Sequence, residues 1–179
     1  YGTIDGKGKV IGDSTKHYRR TNVPERNTFY GKILDGPEYF TIFSGKTGEA
    51  LATTNYIPSR YPTDGWSGHG GNGGSDNTGN RVDRFNACVA YLDGVHPSVV
   101  MCRGYYGRSV LAAWDWRGGK LTSRWVFDSK DGENPYSGQG YHTVSVADVD
   151  GDGKDEIVYG SMVVDDDGKG LFTTGYRHG

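Results

Sequence analysis

Residues 141–162 read YHTVSVADVDGDGKDEIVYGSM, and the middle of that run restricts what the chain can become. Asp148, Asp150 and Asp152 alternate, Gly153 follows and Glu156 closes, so four carboxylates crowd into a tight turn. Like charges that close repel, and hard oxygen donors in this arrangement suit a divalent cation, calcium before zinc or copper. The predicted ligand set is Asp148, Asp150, Asp152, Lys154 and Glu156. An EF-hand opens the same way but requires a bidentate Glu at loop position twelve and a helix on each side. Position twelve here is Tyr159. Residues 143–147 alternate apolar and small polar side chains, and 157–159 continues towards 163–164 with β-branched ones, so the ion would tie a β-hairpin. An ordinary Asp-Gly turn is the alternative; it accounts for one carboxylate and leaves the other three without a reason.

The rest of the chain agrees with strands. Thirty glycines and thirteen tyrosines among 179 residues, with two methionines, describe a loop-rich β protein. No segment keeps the i, i+3, i+4, i+7 apolar repeat of a helix over a useful length. The length suits one domain with a core of its own. A net charge of −2 offers no basic face for nucleic acid, and no apolar run is long enough to span a bilayer. Tyr1 is not an initiator Met and Gly179 ends without a closing element, so the expectation is a piece of a larger secreted protein.

Residues 1–30 show little pattern beyond a short strand at 9–11. Residues 31–36 predict a strand ending in a turn, 39–43 and 49–53 a hairpin, and 85–92, 98–103, 109–116 and 120–128 four strands in quick order. A last turn at 165–170 leads into 171–174, and Asp165, Asp166 and Asp167 there fit either another calcium or a solvated acidic hairpin. Between these lies a long glycine-rich connection, 55–80. Its Tyr56, Tyr61 and Trp66 suit either a sugar face or the pinning of the loop to the body, and its His69 has no evident partner. Asp83, between Arg81 and Arg84, reads as an ion-paired structural group. Cys88 and Cys102 are equidistant from Val95, which predicts direct cross-strand neighbours; a disulfide and a pair of buried thiols both fit.

Asp35-Gly36, Asp93-Gly94 and Asp150-Gly151 recur at similar intervals, and the last two sit in matching frames, VAYLDG at 89–94 and VADVDG at 146–151. Antiparallel units of about four strands at a period of roughly 40 to 60 residues mark β-propeller blades. The predicted fold class is therefore all-β: about three blades of antiparallel meander, in a propeller whose remaining blades lie outside residues 1–179.

With the blades placed, the chain resembles the family 11 polysaccharide lyases. The residues that carry the resemblance are 79–85 (GNRVDRF), 90–94 (AYLDG), 100–106 (VMCRGYY), 111–116 (LAAWDW) and the run 142–178. The family is one of rhamnogalacturonan lyases built on an eight-bladed propeller with many calcium ions. The resemblance implies a secreted, calcium-dependent endolyase acting on rhamnogalacturonan I, the pectic polysaccharide. Its reaction is β-elimination at galacturonate, in which a base takes the C5 proton and a calcium ion on the carboxylate stabilises the enolate-like intermediate. His142 and His178, in the contexts Gly-Tyr-His and Gly-Tyr-Arg-His, each open an inner strand of the expected propeller. They are the candidates for holding that ion, or else each hydrogen-bonds across a blade junction. No residue is assigned as the base, which the resemblance puts beyond Gly179. The rival reading is a non-catalytic, calcium-stabilised propeller that binds carbohydrate or protein.

Overall fold

A computed structural model describes residues 2–33, 36–59, 84–129, 135–176 and 178, and among these every regular element is a strand. Glycine turns and strand formers alternate, giving β1 (Gly2–Ile4), β2 (Val10–Gly12), β3 (Tyr39–Phe43), β4 (Ala50–Asn55), β5 (Phe85–Ala90), β6 (Ser98–Arg103), β7 (Val110–Arg117), β8 (Lys120–Asp128), β9 (Val144–Ala147), β10 (Glu156–Tyr159), β11 (Met162–Val164) and β12 (Gly170–Thr173). They pair into two two-stranded sheets, β1-β2 and β3-β4, and two four-stranded antiparallel meanders, β5-β6-β7-β8 and β9-β10-β11-β12. The all-β expectation holds.

The core lies where the two meanders meet. Leu92, Val100, Leu111, Ile157, Tyr159 and Val164 are fully buried there, each aliphatic side chain contributing about 1.5–3 kcal/mol. Strand β7 explains itself by this position. Leu111 and Ala113 face the second meander, while Ala112 and Trp114 face the other way onto Tyr56 and Phe40 of the preceding segment. Both faces are covered, so its sequence runs apolar without alternating.

An ion pair also fastens the β3-β4 sheet to the first meander. Arg103, wholly buried, grips Glu38 with two guanidinium nitrogens, and its guanidinium carbon lies 4.4 Å and 5.1 Å from the ring centres of Phe85 and Tyr56. The repeated Asp-Gly turns of the meanders touch each other. The Tyr91 N–H donates to Asp155 Oδ2 (2.6 Å), the Asp155 N–H returns to the Tyr91 carbonyl (3.2 Å), and a side chain on Gly94 would meet the Gly153 carbonyl oxygen at 2.7 Å.

Several expectations need correction. Cys88 pairs across the sheet with Val100, and Cys102 with Asn86, so the two cysteines are diagonal and not direct neighbours. Both are free thiols; burial pushes Cys88 up to about 11 and Cys102 well above its ordinary range, which keeps them protonated. Residues 157–159 do not run on to 163–164: the chain reverses at Gly160, whose φ of 65° permits the turn, and β11 pairs back onto β10. Within 31–36 the described pairing is a single bridge between Arg19 and Ile33. Gly94 and Gly151 lie inside the first turn of their meanders and Gly36 precedes β3, while its neighbour Asp35 lies outside the described residues. Tyr56 is buried against Phe85 and Trp114, which makes it a pin and not a sugar platform. Tyr61, Trp66, His69 and Asp83 lie outside the described residues.

Candidate functional site

Two groups of polar side chains stand at opposite ends of β9. At its far end, the turn 148–155 joins β9 to β10, where Glu156 pairs with Ala147. The turn is shaped by its own carboxylates. Asp148 accepts the N–H groups of Gly151 (2.7 Å) and Gly153 (3.1 Å), Asp150 that of Asp152 (3.1 Å), and Asp152 that of Lys154 (2.8 Å). Gly151 and Gly153 adopt φ of 82° and 87°, a conformation other residues take at a cost.

This folding brings oxygens of Asp148, Asp150 and Glu156 within 4.8 Å of one another. Asp152 turns elsewhere, forming a second group with Glu156 and Asp166 within the same distance. Between Asp152 and Asp166 lies the Lys154 ammonium, 3.0 Å and 3.1 Å from their Oδ2 atoms. These two hydrogen-bonded carboxylates raise the Lys154 pKa, and Lys154 in turn lowers that of Asp152. Glu156 belongs to both groups and is fully buried. Its Oε2 accepts the Val149 N–H (2.7 Å), and its Oε1 has no hydrogen-bond partner. Burial raises its pKa. A buried carboxylate oxygen without a donor, beside two further carboxylates, fits a bound cation. Of the three aspartates in the later hairpin, Asp167 pairs with Lys169, and Asp166 pairs with Lys154 of this turn.

At the near end of β9, His142 and His178 come together. Their ring centres are 5.0 Å apart, edge to face. Tyr105 packs on both, 4.6 Å from His142 and 5.4 Å from His178, and Tyr106 lies 4.1 Å from His178. Backbone interactions hold His178 in place. Its N–H donates to the Gly138 carbonyl (2.7 Å), and its Nδ1 is 2.8 Å from the Gly140 carbonyl oxygen. A carbonyl only accepts, so Nδ1 carries the proton and Nε2 of the neutral ring keeps its lone pair, the form that ligates metals. Gly140 is glycine for a steric reason: a Cβ would meet the Tyr105 Cα and the Tyr159 ring at 2.8 Å. Arg84 donates to the Tyr105 hydroxyl (3.3 Å).

Tyr105 and Tyr106 as walls of the histidine pair and Gly140 as its support were not foreseen as site residues, and Asp166, expected to bind a calcium or to be solvated in its own hairpin, was not expected to reach the acidic turn. Each acts across 12 or more residues of sequence, and no local spacing announces it.

The chain matches the family model "Rhamnogalacturonan lyase family 11, C-terminal domain" over residues 1–179. It is 54% identical to the rhamnogalacturonan exolyase YesX of Bacillus subtilis (strain 168) and 50% identical to the rhamnogalacturonan endolyase YesW of the same organism, in each case over 99% of this chain. It spans 27% and 26% of those two proteins, about a quarter of their length. Among solved structures, the Bacillus licheniformis rhamnogalacturonan lyase PL11 superposes with a TM-score of 0.84 at 57% identity, over 99% of this chain and 28% of that one. A match along the whole chain, carried by sequence and fold together, shows that the chain belongs to rhamnogalacturonan lyase family 11.

Proposed function

We propose that the chain is part of a secreted, calcium-dependent rhamnogalacturonan endolyase, and that it contributes one wall of the active cleft and one structural calcium site. The observation that carries the reading is the His142–His178 pair against Tyr105 and Tyr106, in a chain 54% identical to a rhamnogalacturonan exolyase and 50% identical to a rhamnogalacturonan endolyase. The two four-stranded meanders support blades of a propeller whose other blades lie outside residues 1–179.

The proposed substrate is rhamnogalacturonan I, the pectic polysaccharide. A base removes the C5 proton of galacturonate, the electron pair forms the C4–C5 double bond, and the C4–O bond to the departing chain breaks. Calcium in the cleft would offset the galacturonate carboxylate charge and so make the C5 proton easier to remove. The residues of this chain orient that chemistry. The Gly140 carbonyl fixes His178 as the Nδ1–H tautomer, which leaves the lone pair on Nε2, while Tyr105 and Tyr106 pack on both rings. The base is proposed to lie beyond Gly179. At the other end of β9, Asp148, Asp150 and Glu156 would hold a second calcium, with Asp152 and Lys154 closing the turn around it, and this ion fixes the hairpin without taking part in catalysis.

The test is to incubate the full-length protein with rhamnogalacturonan I and calcium and follow the ultraviolet absorbance of the unsaturated uronate. A rise that a chelator abolishes supports the reading. No rise supports the rival, a calcium-stabilised propeller that binds carbohydrate or protein without cleaving it. Internal cleavage is the proposed mode, and the named relatives include one of each kind. Early loss of viscosity identifies it, whereas steady release of small unsaturated products at constant viscosity identifies attack from chain ends.

A further inference from the structure

The strap Gly138-Gln139-Gly140, ahead of β9, commits each of its carbonyls to the second meander or to His178 beyond it. The Gly138 carbonyl accepts the His178 N–H (2.7 Å), the Gln139 carbonyl accepts the Ser161 N–H (2.8 Å), and the Gly140 carbonyl accepts from Nδ1 of His178 (2.8 Å). Ser161 lies between β10 and β11, and its own carbonyl accepts the Thr174 N–H (3.0 Å). A backbone ladder thus crosses the end of the meander from Gln139 through Ser161 to Thr174. Glycine flanks Gln139 on both sides, with Gly138 at φ 75°, so conformational preference alone restrains the two carbonyls on His178 only weakly. Gln139 carries the one side chain of the strap. It is 2% exposed, and its Oε1 accepts the hydroxyl of Thr173 (3.1 Å) at the end of β12. The same hydroxyl oxygen accepts the Gly175 N–H (3.2 Å), where the chain leaves β12 towards His178.

We propose that Gln139 is a positioning residue for His178, acting through Thr173. Their side-chain contact locks the strap to the return that follows β12, so that the Gly140 carbonyl meets Nδ1 and the lone pair stays on Nε2. Neither side chain hydrogen-bonds the imidazole; both act through the backbone that does. The inference rests on the reading of His142 and His178 as ligands of a cation and adds the device that keeps one of them ready. Without the contact the backbone ladder still lets the meander fold, but His178 is free to turn and to exchange its tautomer. Ordering the imidazole then opposes binding of the ion, where in the parent it is complete on folding.

The test is calcium binding to the chelator-treated full-length protein by titration calorimetry, with thermal unfolding in chelator measured beside it. His178→Ala identifies the binding step that needs the histidine pair. In Thr173→Val and in Gln139→Met that step is expected to weaken about tenfold or more, the usual effect of removing a group that orients a metal ligand, while the other steps keep the parent affinity. Thr173→Ser, which retains the hydroxyl, is expected to bind as the parent does. Gln139→Met/Thr173→Val is expected to be no weaker than either single variant, because both break one contact. An unchanged step in folded Thr173→Val, with a lower melting temperature in chelator, marks a merely structural contact and overturns the proposal. If Gln139→Met does not fold, Thr173→Val and Thr173→Ser decide the matter from the half-buried side of the contact. Retention of every step in His178→Ala instead sinks the cation reading, and the proposal with it.

Discussion

The imidazole of His178 stands edge to face with that of His142 at 5.0 Å, with its Nδ1 fixed on the Gly140 carbonyl at 2.8 Å. Neither ring is part of the hydrophobic core. Replacing either therefore costs little stability. If the pair holds a catalytic cation, His142→Ala and His178→Ala each lower kcat on rhamnogalacturonan I by about a hundredfold or more, in line with losing a group that stabilises developing charge. Thermal unfolding in chelator stays close to the parent. Full activity in both variants would remove the pair from the site.

Gly140 supports His178 from below, where a methyl group has nowhere to go. The Tyr105 Cα and the Tyr159 ring would each be 2.8 Å from it. Gly140→Ala is expected to destabilise by about 1–3 kcal/mol through overpacking. Because the carbonyl that orients His178 must shift, activity falls further than the stability loss alone explains. Denaturant unfolding beside kcat separates the two effects, and activity that follows the folded fraction alone would argue against orientation.

The turn 148–155 is expected to be stable only with its ion. Asp150→Ala lowers the melting temperature in calcium and changes little in chelator, since a ligand present at a hundred times its Kd stabilises by about 2.7 kcal/mol and that increment is what the variant loses. Equal losses in both conditions would show that Asp150 acts only by accepting the Asp152 N–H.

Glu38 neutralises a guanidinium that is otherwise sealed inside the protein. Glu38→Ala removes one carboxylate partner of the buried Arg103 guanidinium, which packs on Phe85 and Tyr56, a loss expected to cost about 3 kcal/mol. Glu38→Ala/Arg103→Met, which removes both charges, recovers much of that loss. A double variant no more stable than Glu38→Ala would mean that packing, and not the buried charge, sets the cost.

The strands of the second half were legible because their signals are local. Residues 98–103 and 120–128 coincide with β6 and β8, since alternation and glycine turns bound them directly. The acidic turn was legible for the same reason. What could not be read was anything set by register or by a distant partner. Counting from Val95 displaced Cys88 by two residues from its true neighbour Val100, because a turn's centre depends on its hydrogen bonds and not on symmetry in sequence. The contact of Lys154 with Asp166 and that of His178 with Gly138 and Gly140 join different hairpins. The histidines were visible through their place at the openings of inner strands together with resemblance to a family, and their tyrosine walls only through the folded chain.

Asp5 provides a pH-dependent clasp between the first hairpin and the β3-β4 sheet. Its Oδ2 accepts the Ala50 N–H (2.6 Å), and its Oδ1 accepts those of Lys7 and Lys9 (both 2.8 Å). These donors, Ala50 foremost, hold its pKa below the ordinary 3.8. The folded form thus binds the proton less readily than the unfolded form does. The contribution of Asp5 to stability is complete above the unfolded value of 3.8 and is lost as the pH falls from there through the lowered folded value. Asp5→Asn keeps an acceptor but no charge, so it is less stable than the parent at neutral pH and the difference shrinks on acidification through that window. Melting temperatures of the two proteins from pH 7 down to the acid limit measure it, and a difference that stays constant with pH would show that the Asp5 carboxylate is not the titrating group.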